Sequence, residues 1–413
     1  MKVSKHISFL IILPILFGFF DCNQGPHNPE ISKPYLIVLS LDGFRWDYPE
    51  QANTPTLDSL AKVGVHTNII PSYPSKTFPN HYAMATGLYP DHHGIVLNSF
   101  YAQDIEKQYR LSDRESVTNP DFYAGEPIWN TAEKQGVTAA TLFWVGSEAP
   151  IGNIRPTYWS SYDQELPFES RIDSLFTWLS LPESIRPHLI MWYYHEPDGV
   201  GHHFGPHSVE TIKEIEQLDH YLSTFFAKMK QLPEFDMLNF IVTSDHGMGE
   251  LSPDRQVILD EVVDTALLER FDGWNPVWNL KVKPGQEKLV YNQLKSNPHL
   301  TVYKHDSIPS RLHYGTNPRT YDFTVEADSS YSIYWSWRIG NSYGTHGYDN
   351  KNTDMHAIFY ATGPAFKTDF QGKPFENVNL YALMAKILNL TPAETDGNIE
   401  NTKDLLIIDR STH

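Results

Sequence analysis

Cysteine is almost absent: the 413 residues contain a single one, Cys22. That excludes an intrachain disulfide framework, which a chain of this length does not need for stability. Basic charge is also scarce, with 32 Lys and Arg against 50 Asp and Glu and a net charge of −18. A nucleic-acid duplex is therefore excluded as partner, because such binding depends on neutralising phosphates with Lys and Arg. A small phosphorylated ligand stays open, since bound cations can dominate the field at a site. Long apolar runs are missing too. The one run, Ile7 to Phe20, is shorter than the ~20 residues of a membrane-spanning helix, and Lys2 and Lys5 precede it. Residues 1–22 read as an export signal and 23–33 as a polar linker. Cys22 closes the signal, either as the acylated first residue of a bacterial lipoprotein or as an incidental residue of a cleaved signal. The expected location is periplasmic or cell-surface. Low-complexity tracts and internal repeats are also missing, so residues 34–413 are expected to form one large domain with a smaller inserted lobe. Residues about 250–340, where Pro, Asn and charge are enriched, are expected to form either that lobe or a long connection beside the site.

Several short apolar runs end in acidic, histidine or glycine residues. "YLIVLSLDG" leads to Asp42, "HLIMWYYHEPDG" to Asp198, and "MLNFIVTSDHG" to Asp245 and His246. Near-continuous apolar strands of this kind fit a sheet covered on both faces. "AATLFW" and "HAIFYATG" read as two more strands. Helical patterns lie between them, the clearest from about Ser208 to Met229, with Ser208 as N-cap. The alternation predicts an α/β fold, a largely parallel central sheet sandwiched by helices. Ligands of such sheets bind beyond the carboxyl ends of the strands, where these acidic residues would gather.

Asp198 and His202 are four residues apart, Asp245 and His246 are adjacent, and His346 sits in the glycine-rich "YGTHGYDN". With Asp42 this gives three aspartates and three histidines, all expected in loops. Mixed carboxylate and imidazole donors suit zinc better than calcium, and six ligands are the number for two catalytic ions. A lone aspartate after a strand is ordinarily a cap or turn former. Six such residues, each at a strand end or glycine-bracketed, are not explained that way. His203 and His207 are expected to be outer or exposed groups; His81, His92, His93, His305, His313 and His356 are read as ordinary histidines.

In "SYPSKTFPNHYAMATGLYPDHHG", Pro79 fits the first turn of a helix running to Gly87. Thr77 then lies at a helix N-terminus, where free N–H groups and the dipole favour a phosphate. Its plain reading is a cap. Beside two zinc ions it becomes a candidate nucleophile.

The blocks "LDGFRWDY", "PSKTFPNHYAMATGLYPDHHGIVLN", "EPDGVGHHFGP", "SDHGM" and "THGYDN" together resemble the signature blocks of the nucleotide pyrophosphatase/phosphodiesterase family, in the alkaline phosphatase superfamily. The resemblance runs from about residue 34 to 405. It implies one zinc on Asp198, His202 and His346, and another on Asp42, Asp245 and His246, with Thr77 bridging towards the latter as nucleophile. It also implies that Asn98 hydrogen-bonds a phosphate oxygen and that Phe78, Trp144 and Tyr162 enclose a nucleobase. The implied reaction is two-step hydrolysis of a nucleotide diester or pyrophosphate through phosphothreonine. A choline-phosphodiester or phospholipid hydrolase with the same metal centre is the alternative. A phosphomonoesterase fits less well, having Thr77 and Asn98 where serine and further charged groups are expected. A sulfatase would want cysteine or serine in its own modification motif, and Cys22 lies in the export segment.

Overall fold

The central sheet takes its form from strands that are apolar on both sides. In the computed structural model, which describes residues 33–407 except Asp306, all seven residues of β1 (Tyr35–Leu41) are buried. Their side chains alternate: Leu36 and Val38 enter one core, Tyr35, Ile37, Leu39 and Leu41 the other. The remaining strands of this sheet are β2 (Val65–Ile70), β3 (Ala139–Leu142), β4 (Tyr158–Ser160), β5 (Leu189–Tyr194), β6 (Leu238–Thr243) and later β11 (Ala357–Thr362), with the short β12 (Phe370–Gln371) and β13 (Phe375–Glu376). The nine strands run in the order β12-β2-β11-β6-β1-β5-β3-β4, with β13 also paired to β2. From β6 to β4 every pairing is parallel. β11 joins β6 and β2 antiparallel, so the sheet is largely, not wholly, parallel.

Helices cover both faces. α1 (Thr77–Thr86) contributes Met84 and Ala85 to the first core, and α3 (Val209–Met229) contributes Ile215, Leu222 and Phe225 to the second. Ser208 caps α3 as expected, its Oγ accepting from the Thr211 N–H at 3.1 Å. Between α1 and α3, α2 (Asp198–Phe204) follows β5. Asp198 and His202 therefore lie one helical turn apart and not in the loop that the sequence pattern predicts; i and i+4 share a helix face, which converts their spacing into convergence.

Of the two alternatives for residues 250–340, lobe or long connection, the lobe is what forms. It is a four-stranded antiparallel sheet, β7 (Leu268–Trp274), β8 (Val277–Val282), β10 (Phe323–Ala327) and β9 (Leu300–Lys304) in that order, with α4 (Glu287–Lys295). It has its own core around Trp278, Val290, Leu294, Val325 and Trp335. From Pro34 onward the described residues form one compact unit. Cys22, the export segment and most of the linker lie outside the described residues. Among the described residues no helix is long and apolar enough to cross a membrane.

Candidate active site

β6, β1 and β5 are adjacent and parallel, so their carboxyl ends bring Asp245, Asp42 and Asp198 to one place. Backbone bonds stitch the three ends together. Asp42 N–H donates to Tyr194 O at 2.9 Å and Asp198 N–H to Asp42 O at 3.0 Å; Phe44 N–H donates to Ser244 Oγ at 2.9 Å. Gly43 permits the approach. Its φ is +69°, and an added Cβ would stand 2.9 Å from Asp198 Cα.

Two candidate metal-ligand groups result, Asp198–His202–His346 and Asp42–Asp198–His246, each with donor atoms within 4.8 Å of one another. Asp198 thus reaches both groups, where the family resemblance implies only one. Asp245 stands beside the second group, its Oδ2 3.0 Å from His246 Nε2. Each imidazole is oriented from behind. Nδ1 lies 2.7 Å from Gly344 O in His202, 2.8 Å from Gly247 O in His246 and 2.8 Å from Ser75 O in His346. A proton on each Nδ1 leaves Nε2 with a lone pair aimed at the carboxylates, the usual preparation of a metal-binding histidine.

The donor set fits a bound cation. Asp42 Oδ1, Asp198 Oδ1 and Asp245 Oδ2 are buried oxygens that accept no hydrogen bond, a costly condition unless positive charge faces them. Burial, together with the Asp245 and Asp198 charges, pushes the Asp42 carboxyl well above the usual range. His346 is pushed well below its ordinary value by burial and by its neighbours His246, Lys76 and His202. Burial by itself lowers His246, but Asp245 outweighs it and holds that imidazole up.

Thr77 opens α1, with its Oγ1 3.2 Å from His246 Nε2. The helix N-terminus is less free than expected: Pro79 has no N–H, and Phe78 N–H is taken by Asn98 Oδ1 at 2.9 Å. What remains for an anion is the Thr77 N–H and the dipole. The same bond fixes the Asn98 amide and turns its Nδ2 donor away from Phe78.

Three residues escaped the sequence reading. His81, read as ordinary, is fully buried beneath the site: Nδ1 lies 3.0 Å from Thr77 O and 3.3 Å from Asp245 Oδ2, and Nε2 2.9 Å from Ser40 Oγ. Its signal was the i,i+4 spacing from Thr77 on one helix. Tyr193 donates to Asp42 Oδ2 at 2.6 Å. Lys76 Nζ donates to His346 O and Asn275 O, both at 2.6 Å, tying the segment that carries Thr77 to the His346 loop and the lobe. Burial pushes its ammonium down to about 7, with Asp198 opposing. His203 and His207 are not among the candidate ligand groups.

A cavity of about 400 Å³ opens beside Thr77, lined by Phe78, Asn98, Trp144, Tyr162 and Glu148 among others. Tyr162 is 37% exposed, whereas Trp144 is 1% exposed, donates to His81 O at 3.0 Å and packs edge-on to the His81 ring. Trp144 is a buried wall, whereas Phe78 and Tyr162 line the cavity and are partly exposed. Glu148 is paired with Arg114 and accepts from the Tyr162 N–H.

Sheet order, inserted lobe and a carboxylate–imidazole centre at the strand ends define an alkaline-phosphatase-like α/β protein. The chain belongs to the type I phosphodiesterase/nucleotide pyrophosphatase family, whose model matches residues 36–349. It is similar to murine ectonucleotide pyrophosphatase/phosphodiesterase 5, with a TM-score of 0.87 and 34% identity over 90% of this chain and 100% of that one. An inactive variant of that murine protein in complex with AMP matches equally well, at TM-score 0.87 over 91% of this chain. The human family member 5 is 34% identical over 96% of this chain and 83% of its own length. A venom phosphodiesterase of Crotalus durissus collilineatus is 37% identical over 90% of this chain but only 46% of its own. The chain spans about half the length of that enzyme and of several other curated relatives it matches.

Proposed function

We propose that this protein is a hydrolase that cleaves phosphodiester or pyrophosphate bonds of nucleotides through a covalent phosphothreonine, converting a nucleoside triphosphate to its monophosphate and pyrophosphate. The observation that carries the reading is the convergence of Thr77 Oγ1 with three orphaned carboxylate oxygens and three pre-oriented imidazoles. Asp198, His202 and His346 would hold one zinc, and Asp42, Asp245 and His246 a second, with Thr77 adjoining the latter. When bound, such ions supply Lewis acidity that lowers the pKa of a hydroxyl and neutralises charge on the transferring phosphoryl group. Thr77 Oγ1 bonds to phosphorus as the leaving oxygen departs on the opposite side. Asn98 Nδ2 holds a phosphoryl oxygen, and Lys76, by clamping the His346 loop, keeps the imidazoles in place. Water then attacks the phosphothreonine and frees Thr77. Nucleobase stacking on Phe78 and Tyr162 would contribute ~1–3 kcal/mol. The AMP complex of the murine relative supports a nucleotide ligand.

A choline headgroup, the alternative, would favour an unpaired carboxylate in the pocket. Glu148 is already engaged by Arg114, which favours the nucleotide. The test compares hydrolysis of nitrophenyl thymidine monophosphate, nitrophenylphosphocholine and nitrophenyl phosphate by the zinc-supplied protein. Preference for the thymidine diester is expected; preference for phosphocholine overturns the substrate, and preference for the monoester overturns the diesterase assignment. Export, with Cys22 as acyl acceptor, belongs to the same reading, and cell fractionation with fatty-acid labelling of Cys22 checks it.

A further inference from the structure

A second cavity, of about 770 Å³, reaches the same centre from the side of the lobe. It shares Asn98, Leu111, His202 and His346 with the first, so the two meet at the reacting position. Its character is opposite to that of the chain. Arg110, Arg270 and Arg338 line it, in a protein with 50 acidic and 32 basic residues. They arrive from separate elements: the strand Lys107–Arg110, β7 of the lobe, and the loop after Trp335. Asp272, a carboxylate of the same wall, is already occupied. Its Oδ2 accepts from Tyr101 N–H at 2.7 Å and from Tyr321 Oη at 2.5 Å, while Oδ1 is 3.9 Å from Arg270 Nη1. Two guanidiniums rest on aromatic faces, Arg270 4.1 Å from the Tyr101 ring centroid and Arg338 4.4 Å from that of Trp274. Stacking of this kind orders the planar cation and leaves its N–H edges available to phosphate oxygens.

We propose that Arg110, Arg270 and Arg338 are specificity-determining residues that make this cavity the leaving-group subsite, receiving the departing terminal phosphates of a nucleoside triphosphate. The assignment rests on the nucleotide reading above, in which the base occupies the cavity of Phe78 and Tyr162. As the Thr77 Oγ1–phosphorus bond forms, the phosphorus–oxygen bond to the leaving group breaks and its electron pair stays on the departing oxygen. The Thr77 proton passes to solvent. Negative charge on the departing phosphate rises at that step, facing Arg110, Arg270 and Arg338.

The test is the ratio of kcat/KM for a nucleoside triphosphate to kcat/KM for nitrophenyl thymidine monophosphate, whose leaving group carries no phosphate. Arg110 and Arg338 are exposed, so Arg110→Glu and Arg338→Glu should fold, and thermal melting confirms it. Each reversal is expected to lower the ratio about tenfold, the scale of one charge-assisted contact, with Arg338→Lys recovering part of the loss. Added salt should depress triphosphate turnover in the wild type more than in the double variant. A ratio that stays constant overturns the subsite and leaves the nucleotide reading standing. Failure of the wild type to hydrolyse the thymidine diester overturns the nucleotide reading and the subsite with it.

Discussion

Thr77 gains its place from the residues around it. Pro79 seats the first turn of α1, Asn98 holds the Phe78 N–H, and His81 lies one turn on with its Nδ1 3.0 Å from Thr77 O. The hydroxyl is thereby fixed 3.2 Å from His246 Nε2 without being needed to hold the fold. Thr77→Ala should therefore abolish turnover while metal content, measured by atomic emission, stays at the wild-type level; normal activity in a folded, metal-replete variant would sink the nucleophile assignment. The aromatic positions separate in the same way. Tyr162→Ala should raise KM for a nucleotide more than for a small nitrophenyl diester if, as proposed, its exposed ring stacks on the base. Trp144→Ala should chiefly cost stability, about 3–5 kcal/mol, because the side chain is buried against His81; equal effects of the two variants on both readouts would remove the distinction. Phe78, Trp144 and Tyr162 were legible as aromatic, yet their different roles were not. Stacking and packing use the same residue types, and only burial tells them apart.

At the level of elements, the acidic strand ends were legible because a parallel sheet places every carboxyl end on one side, and apolar runs ending in Asp mark those ends. The helix carrying Asp198 and His202 was not. Gly199 and Gly201 within seven residues read as loop, and the helix forms because β5 feeds it and the His346 loop packs on it. The lobe was visible as a change of composition, but the three arginines of the second cavity lie too far apart in sequence to read as one site. One strand of that lobe carries a testable charge. Glu326 on β10 is buried, accepts from the Asp349 N–H at 2.7 Å, and leaves Oε2 without a partner. Burial pushes its carboxyl up to about 8. In the unfolded chain the same group ionises near its ordinary value, so between roughly pH 4.5 and 8 the folded state holds a proton that the unfolded state has lost. Its contribution is complete below that window, falls as pH rises through it, and is gone above about 8. Glu326→Gln removes the titration and can offer its amide N–H to the unpartnered Tyr73 hydroxyl. Urea melts at pH 5 and pH 8 should show the variant gaining on the wild type by a few kcal/mol as pH rises, on the order that linkage allows. A pH-independent difference would mean that Glu326 is ionised in the folded protein.

Across the whole molecule the candidate ligands belong to no single element. Asp42, Asp198 and Asp245 follow three neighbouring strands, His202 comes from α2, and His346 from a loop that Lys76 ties to the lobe through Asn275. A cation held there is a cross-link between sheet and lobe-side segments that exists only in the folded state, because the unfolded chain scatters its ligands over some 300 residues. Binding of that kind raises stability by about 2.7 kcal/mol at a hundredfold excess over Kd and about 4.1 kcal/mol at a thousandfold excess. Chelation should therefore lower the calorimetric Tm by several degrees as well as stop turnover, and zinc should restore both. Calcium should restore neither, since it prefers oxygen donors and half of the assigned donors are imidazole nitrogen. The Thr77→Ala protein should show the same zinc-dependent rise in Tm, because its ligands are intact. Loss of that rise in Thr77→Ala would make Thr77 a principal ligand, and an unchanged Tm on chelation of the wild type would mean that the six side chains do not hold the metal on which the proposed chemistry depends.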